Sequence, residues 1–310
     1  MNMRELVTDR HQAIQPLQPS KTGRNMSLKS LFNTTIRKVS IEVSPGSGFS
    51  TRVLRDIEPS FVSVTWLGNS HLDVSIEHIP AIVLAKEIVE NNYPVVLHLA
   101  GRNLDKKRMM EILVYIKSVG IKNILALQGD WMYVLEQDDS KCDFPYASDL
   151  VRFIKSNFGE DFCVGVAAYP CNHPHCRNSE DDMKYLKLKV SSGADFLITQ
   201  ADFEYESLED FANKCRRNSI NVPILTGIFV IKSFKSLENV AKCCEFKVSQ
   251  RVLNYVKEHQ EDRELVEKFG VELAAGLIKK CLDNSQLFAG AHIFSMNDME
   301  EVQKVVSLLA

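Results

Sequence analysis

Eight times after Lys38, a short run rich in β-branched and other apolar residues stops at a glycine or a polar side chain and gives way to apolar residues at helical spacing. Apolar runs of about four to eight residues, closed in this way, read as strands buried on both faces in a parallel sheet. They occupy residues 39–44, 60–66, 94–99, 123–128, 162–169, 194–200, 222–231 and 289–295. Helical spacing recurs over about residues 79–90, 109–119, 146–156, 180–192 and 208–218, then over 237–244, 250–258 and 263–283 between the last two runs, and finally over 298–308. Parallel neighbours cannot be joined by a tight turn, so each strand needs a crossover, usually a helix.

Eight such units without a second composition regime predict a single α/β domain: a (β/α)₈ TIM barrel of about 270 residues, with extra helices between strands 7 and 8. The C-terminal strand ends then share one mouth, which gathers Glu42, Thr65, His98, Asp130, Tyr169 and Gln200 from the first six strands. A doubly wound open sheet is the competitor. No Gly-x-Gly-x-x-Gly stands at a strand-to-helix turn, which weighs against a dinucleotide fold.

The N-terminal residues break the pattern. Residues 1–38 hold seven Lys/Arg against Glu5 and Asp9, a net charge of +5 in a chain whose total is −3. Rich in Gln, Ser, Asn and Pro, residues 1–37 read as a flexible basic extension ahead of a catalytic barrel of residues 38–310. A mitochondrial transit peptide is the alternative. The near-neutral total argues against nucleic acid as a partner, and no apolar run approaches the roughly 20 residues of a membrane-spanning helix. Eight cysteines scattered through strand and helix patterns suggest reduced thiols and a cytoplasmic protein.

Two carboxylates stand out. Along the first strand Val39, Ile41 and Val43 take one face and Ser40, Glu42 and Ser44 the other, so Glu42 faces away from the helix layer. Asp130 follows Gly129 at the end of the fourth. Buried carboxylates are costly unless paired, and at strand ends of a barrel they mark chemistry more often than structure. His98 shares the rim, where it reads equally well as a satisfied core histidine. The stretch from Cys171 to Cys176 contains thiol and imidazole groups suited to zinc, but four ligands within six residues around a rigid proline do not readily form a tetrahedron. A loop that contacts a cofactor is the preferred reading, with a metal-dependent hydrolase using Asp130 as the weaker one. Lys184, Lys187 and Lys189 form a solvated helix face unless a phosphate lies nearby.

Several segments in register resemble the methylenetetrahydrofolate reductase family: Phe61-Val-Ser-Val-Thr65, Leu127-Gln-Gly-Asp130, Tyr146-Ala-Ser-Asp-Leu150, Ala167-Ala-Tyr-Pro170 with His173-Pro174, Lys189-Val-Ser-Ser-Gly-Ala-Asp195, Ile198-Thr-Gln200 and Gly227-Ile228. The resemblance runs from about residue 38 to 309. It implies a (β/α)₈ barrel that holds FAD at its C-terminal mouth. The implied reaction is ping-pong: NADPH or NADH reduces the flavin, which then reduces 5,10-methylenetetrahydrofolate to 5-methyltetrahydrofolate. Glu42 matches the acid that protonates the folate, and Asp130 matches the aspartate beside the flavin pyrimidine. Thr65, Trp66, Gly68, His98, Gln128, Gly129, Asp130, Ala147, Tyr169, His173, Asp182 and Lys189 match flavin contacts, Lys189 facing the diphosphate. Gln200 and Asp130 match substrate contacts. The implied partners are a folate and a nicotinamide nucleotide, with a homo-oligomer compatible and no resident metal.

This chain also departs from the family pattern. Gln128 stands where an arginine usually contacts FAD, Ala201 and Asp202 replace two aromatics, and Asp298 replaces an arginine matched to folate binding. The double proline after the catalytic glutamate is absent. A regulatory domain for S-adenosylmethionine has no counterpart in these residues, so feedback by that ligand is not expected. The departures motivate an alternative reading: an impaired flavin- or folate-binding relative that acts through a partner.

Overall fold

A computed structural model of the protein describes residues 26–34, 38–46, 48–129, 142–173, 176, 178–244 and 246–309. The strands are β1 (Val39–Val43), β2 (Val62–Val64), β3 (Val95–Ala100), β4 (Asn123–Leu127), β5 (Cys163–Ala168), β6 (Phe196–Thr199), β7 (Ile224–Phe229) and β8 (Gly290–Phe294). They pair in chain order, all parallel, and β8 closes on β1 to complete the expected barrel.

Around it run α1 (Leu28–Phe32), α2 (Leu54–Ile57), α3 (Pro80–Glu90), α4 (Lys106–Ser118), α5 (Ala147–Phe158), α6 (Ser179–Ser191) and α7 (Tyr205–Arg217). After β7 come α8 (Phe234–Cys243), α9 (Gln250–Glu258) and α10 (Arg263–Asp283), the extra helices foreseen there, and α11 (Met299–Ser307) follows β8. Local chemistry sets the helix ends. Pro80 opens α3 at a position where its missing N–H costs nothing, and the Asp105 carboxylate accepts the Arg108 N–H at the start of α4. Gly120, at φ +88°, turns the chain after α4. None of the helices among the described residues is long and apolar enough to cross a membrane.

Outward-facing strand residues such as Ile41, Val43 and Val64 pack under the helices in one large core. A second cluster fills the barrel itself, with Phe61, Val96, Leu125, Cys163, Phe196, Ile198 and Leu225 contributed from around the ring. Register then assigns neighbours near the mouth: Glu42 pairs with Ser63 of β2 and with Phe294 of β8, and Ser40 pairs with His292.

Residues 26–34 depart from the flexible extension expected over 1–37. Leu28 and Leu31 of α1 are buried in the inner cluster, closing the end of the barrel opposite the mouth. Asn123, the first residue of β4, accepts the Leu28 N–H at 2.7 Å and donates to the Met26 and Val95 carbonyls. Lys29 pairs with Glu160 and, at 2.9 Å, with Asp195. Apolar residues in a polar, low-complexity stretch acquire a place to go only when the barrel offers its open floor. Leu28→Ala is therefore expected to lower stability by about 2–5 kcal/mol, read as a lower urea midpoint at unchanged slope. An unattached extension would leave the midpoint where it was.

Candidate active site at the barrel mouth

At the C-terminal end of the strands lies a cavity of about 200 Å³. Its polar lining includes Glu42, His98, Tyr169, Thr199 and Gln200, and its apolar walls include Leu127, Phe229, Phe246, Phe294 and Met296. A second hollow of about 400 Å³ adjoins it, sharing Tyr169, Gln200 and Phe246 and adding His173, Ala201 and Lys247. Together they reach the size range of small-molecule sites, roughly 300–1,000 Å³.

Glu42 projects into the first cavity with 15% of its side chain exposed. Burial pushes its carboxyl up to about 7, because the low-dielectric surroundings disfavour the charged form. Its close titratable neighbour is His98, with Nε2 at 3.7 Å from Oε2. Burial drives that imidazole down to about 4, so no charged pair forms here at neutral pH.

Beneath them sits His292, fully buried and absent from the sequence reading. Its Nδ1 lies 2.8 Å from Ser40 Oγ and its Nε2 3.0 Å from Ser63 Oγ, while Ser40 donates to the Ala291 carbonyl. One neutral tautomer satisfies all three: Nδ1–H donates to Ser40 and Nε2 accepts from Ser63. Phe61 stacks on the ring at 5.6 Å and Phe294 meets it edge-on at 5.5 Å. Burial, reinforced by His98, lowers its pKa to about 3.

The backbone of Glu42 is held from the far end of the chain. Ser295 donates to the Glu42 carbonyl, and Asn297 bonds Ser44 with both arms of its amide, accepting from N at 2.8 Å and donating to O at 2.9 Å. Met296 and Asn297 both adopt left-handed backbone, at φ 50° and 62°. Such strain persists where surrounding contacts determine it, and here the Asn297 bonds supply them.

The remaining sequence candidates form a wider rim. Gln200 donates to the Cys244 carbonyl at 3.4 Å and accepts from the Ala201 N–H at 2.8 Å. Tyr169 packs edge-on against His173 at 4.5 Å, and the His173 N–H donates to Asp182. Lys189 donates to the Ala167 carbonyl at 2.6 Å with its ammonium 5.9 Å from the Tyr169 ring centre; burial lowers its pKa to about 8, opposed by Asp182 and Cys176. Thr65 donates to Ser44 and Trp66 to His71, Gly68 lies at φ +40°, and Ala147 opens α5. Gln128 donates to the Pro145 carbonyl, and Gly129 lies at φ +99°, where a Cβ would stand 3.0 Å from Arg102 Cβ. Thus Glu42, His98, Tyr169 and Gln200 converge on one cavity, His173 lines the adjoining hollow, and Thr65, Trp66, Gly68, Gln128, Gly129, Ala147, Asp182 and Lys189 do not line the cavity itself. Asp130 lies outside the described residues, as do Pro174 and His175 of the cysteine–histidine loop.

The sequence reading missed His292 and the wall formed by Val240, Cys244, Phe246 and Met296. Phe294 and Met296 flank a strand end and so carried a signal; α8 carried none, because its amphipathic pattern is the same whether it covers a core or a site. Three departures have local roles. Asp202 is buried and accepts from Ser207, Cys171 and the Glu204 N–H. Gln128 ties β4 to the loop before α5, and Asp298 pairs with Lys232 while accepting the Glu301 N–H at the start of α11. Cys171 is thus engaged with Asp202 and Ser207, and no group of three metal-ligating side chains occurs among the described residues.

A sequence-family model described as Methylenetetrahydrofolate reductase matches residues 49–310. The chain is 36% identical over 261 residues to "Methylenetetrahydrofolate reductase 2" of Schizosaccharomyces pombe, an alignment covering 80% of this chain and 40% of that protein. It is 32% identical over 227 residues to the "5,10-methylenetetrahydrofolate reductase" of Pectobacterium carotovorum, covering 73% of this chain and 72% of that one. Among solved structures, a Clostridium thermocellum protein described as binding two copies of 5-methyl-5,6,7,8-tetrahydrofolic acid shares the fold at a TM-score of 0.61 and 15% identity, with 91% of this chain and 97% of that chain covered. The chain spans about 40% of the length of the Schizosaccharomyces pombe relative.

Proposed function

This chain belongs to the methylenetetrahydrofolate reductase family, and from that premise we propose that it is an FAD-dependent enzyme that reduces 5,10-methylenetetrahydrofolate to 5-methyltetrahydrofolate with electrons from NADPH or NADH. The observation that carries the reading is Glu42: a carboxyl at the mouth of the barrel, walled by apolar side chains, with no lysine or arginine among the described residues of its cavity, and holding its proton near neutral pH. A general acid works best when its pKa lies near the working pH.

FAD, when bound, supplies the hydride transfer that no side chain can perform. The described residues suit such a guest. Ser70 Oγ is buried without a hydrogen-bond partner, and Lys189 spends one of its three N–H donors on Ala167. Lys189 would meet the diphosphate, with Thr65, Trp66, Gly68, His98, Gln128, Gly129, Ala147, Tyr169, His173 and Asp182 as the other contacts. Asp130, proposed on sequence alone, would set negative charge beside the hydride donor and the cationic iminium form of the substrate. Glu42 gives its proton to the folate so that the five-membered ring opens. Gln200 offers its amide to folate and nicotinamide in turn, while Phe229 and Phe294 exclude water. No disulfide joins the described cysteines, which fits a reducing compartment and the cytoplasm as the proposed location.

The test is an absorbance spectrum followed by anaerobic mixing. A yellow protein that NADPH or NADH bleaches, and that methylenetetrahydrofolate restores, supports the reading; bleaching without restoration selects the impaired relative. Lys189→Met is expected to weaken flavin binding about tenfold or more, since a charge-assisted hydrogen bond is worth roughly 1.5–3 kcal/mol, as measured by flavin fluorescence.

A further inference from the structure

We propose that Glu42 and His98 act as one proton-holding pair, with His98 a positioning residue whose neutral ring changes tautomer each time Glu42 loses or regains its proton. The proposal rests on reading Glu42 as the acid of the reaction.

His98 is 6% exposed, and its Nε2 is buried with no hydrogen-bond partner. Buried ring nitrogens without partners are rare and costly. The group that faces this one is the Glu42 carboxyl, 3.7 Å away. That separation is too long for a hydrogen bond, but Glu42 retains some exposure to the cavity, and a shift of about half an ångström closes the gap. Catalytic contacts are commonly loose before substrate arrives.

What the pair can do follows from its surroundings. Tyr169 from the end of β5, Gln200 after β6, and Cys244 after α8 line the same cavity, and His292 of β8 lies beneath. Among the described residues, no lysine or arginine lines that cavity. A cationic His98 would therefore sit desolvated above a second buried imidazole whose two nitrogens are already committed to Ser40 and Ser63. Neutral imidazole remains, with one proton and two nitrogens. When Glu42 is protonated, a bare Nε2 accepts its hydrogen bond. When Glu42 is ionised, Nε2–H donates to the carboxylate. Nε2 has a partner in both states, and the protons balance: Glu42 loses one to the substrate, while the ring keeps one, exchanged through water from Nδ1 to Nε2. Reprotonation of Glu42 reverses the exchange. The carboxylate left after proton transfer is thereby stabilised without a permanent cation, which would have ionised the acid beforehand.

The test is nitrogen NMR of protein carrying ¹⁵N-labelled histidine, titrated from mildly acidic to mildly basic pH, with His98→Gln to assign the resonances. His98 Nε2 is expected to pass from the unprotonated to the protonated range with a midpoint near that of Glu42, followed independently by its infrared carboxyl band. In Glu42→Gln the transition should vanish. An Nε2 signal that stays in one form, one that moves equally in Glu42→Gln, or joint protonation of both nitrogens near neutral pH would overturn the pair. The measurement needs no folate, so the two readings fail separately. A tautomer exchange in a protein without reductase turnover would keep the pair and remove the function. Turnover without the exchange would do the opposite.

Discussion

Glu42→Gln is expected to lower folate reduction by about 10²–10⁴-fold, the usual contribution of a positioned acid, while nicotinamide-dependent bleaching of the flavin persists. The amide keeps the shape of the side chain and removes its transferable proton. Stopped-flow measurement of the two half-reactions separates these outcomes, and equal loss of both would reject the role. The same substitution has a pH signature in stability. The Glu42 carboxyl moves from 4.5 to about 7 on folding. Between those values the folded state holds a proton that the unfolded state has released, so stability falls as pH rises through that window. Above it the wild type carries a buried carboxylate at a cost on the order of 3 kcal/mol. Glu42→Gln, neutral throughout, should be the more stable protein at pH 8, with the difference disappearing below about pH 4.5. A site residue whose removal stabilises the fold is a group retained for chemistry.

Gly227→Val is expected to cost about 3 kcal/mol or more, enough to prevent accumulation of folded protein. A Cβ on this β7 residue would lie 2.1 Å from the Thr199 carbonyl oxygen and 2.6 Å from the Phe294 ring. The ring could swing aside, but the carbonyl belongs to the neighbouring strand, whose Thr199 hydroxyl also accepts the Gly227 N–H at 2.8 Å. Relief would require β6 and β7 to separate. Urea denaturation of any soluble variant would read the loss, and an unchanged midpoint would mean that the strands yield more easily than close packing allows.

Much of the barrel was legible because strand and helix periodicities differ, and because eight parallel strands admit few arrangements. The alternation of Ser40, Ile41 and Glu42 foretold which side chain turns inward. Gln200 and Tyr169 were found for the same reason, as polar ends of apolar runs. The legibility failed where polar or amphipathic sequence is put to a purpose that periodicity does not record. Leu28 and Leu31 lie in a stretch whose composition reads as disorder, yet they close the barrel floor. Val240 and Phe246 carry no site signal in the sequence, yet they wall the cavity. Asp202 and Asp298 looked like losses from a ligand site, and each has a hydrogen-bonding task of its own.

By itself the sequence determined the class of fold, the mouth at which polar strand ends collect, and the inward direction of Glu42, since all three follow from spacing within a few residues. Tertiary structure alone decided that Glu42 meets His98, that His292 is clamped between Ser40 and Ser63, and that Asn297 holds the end of β1. These partners lie up to 253 positions apart. Only closure of the ring, which sets β8 beside β1 in a fixed register, brings such distant residues together, and no local pattern encodes that register.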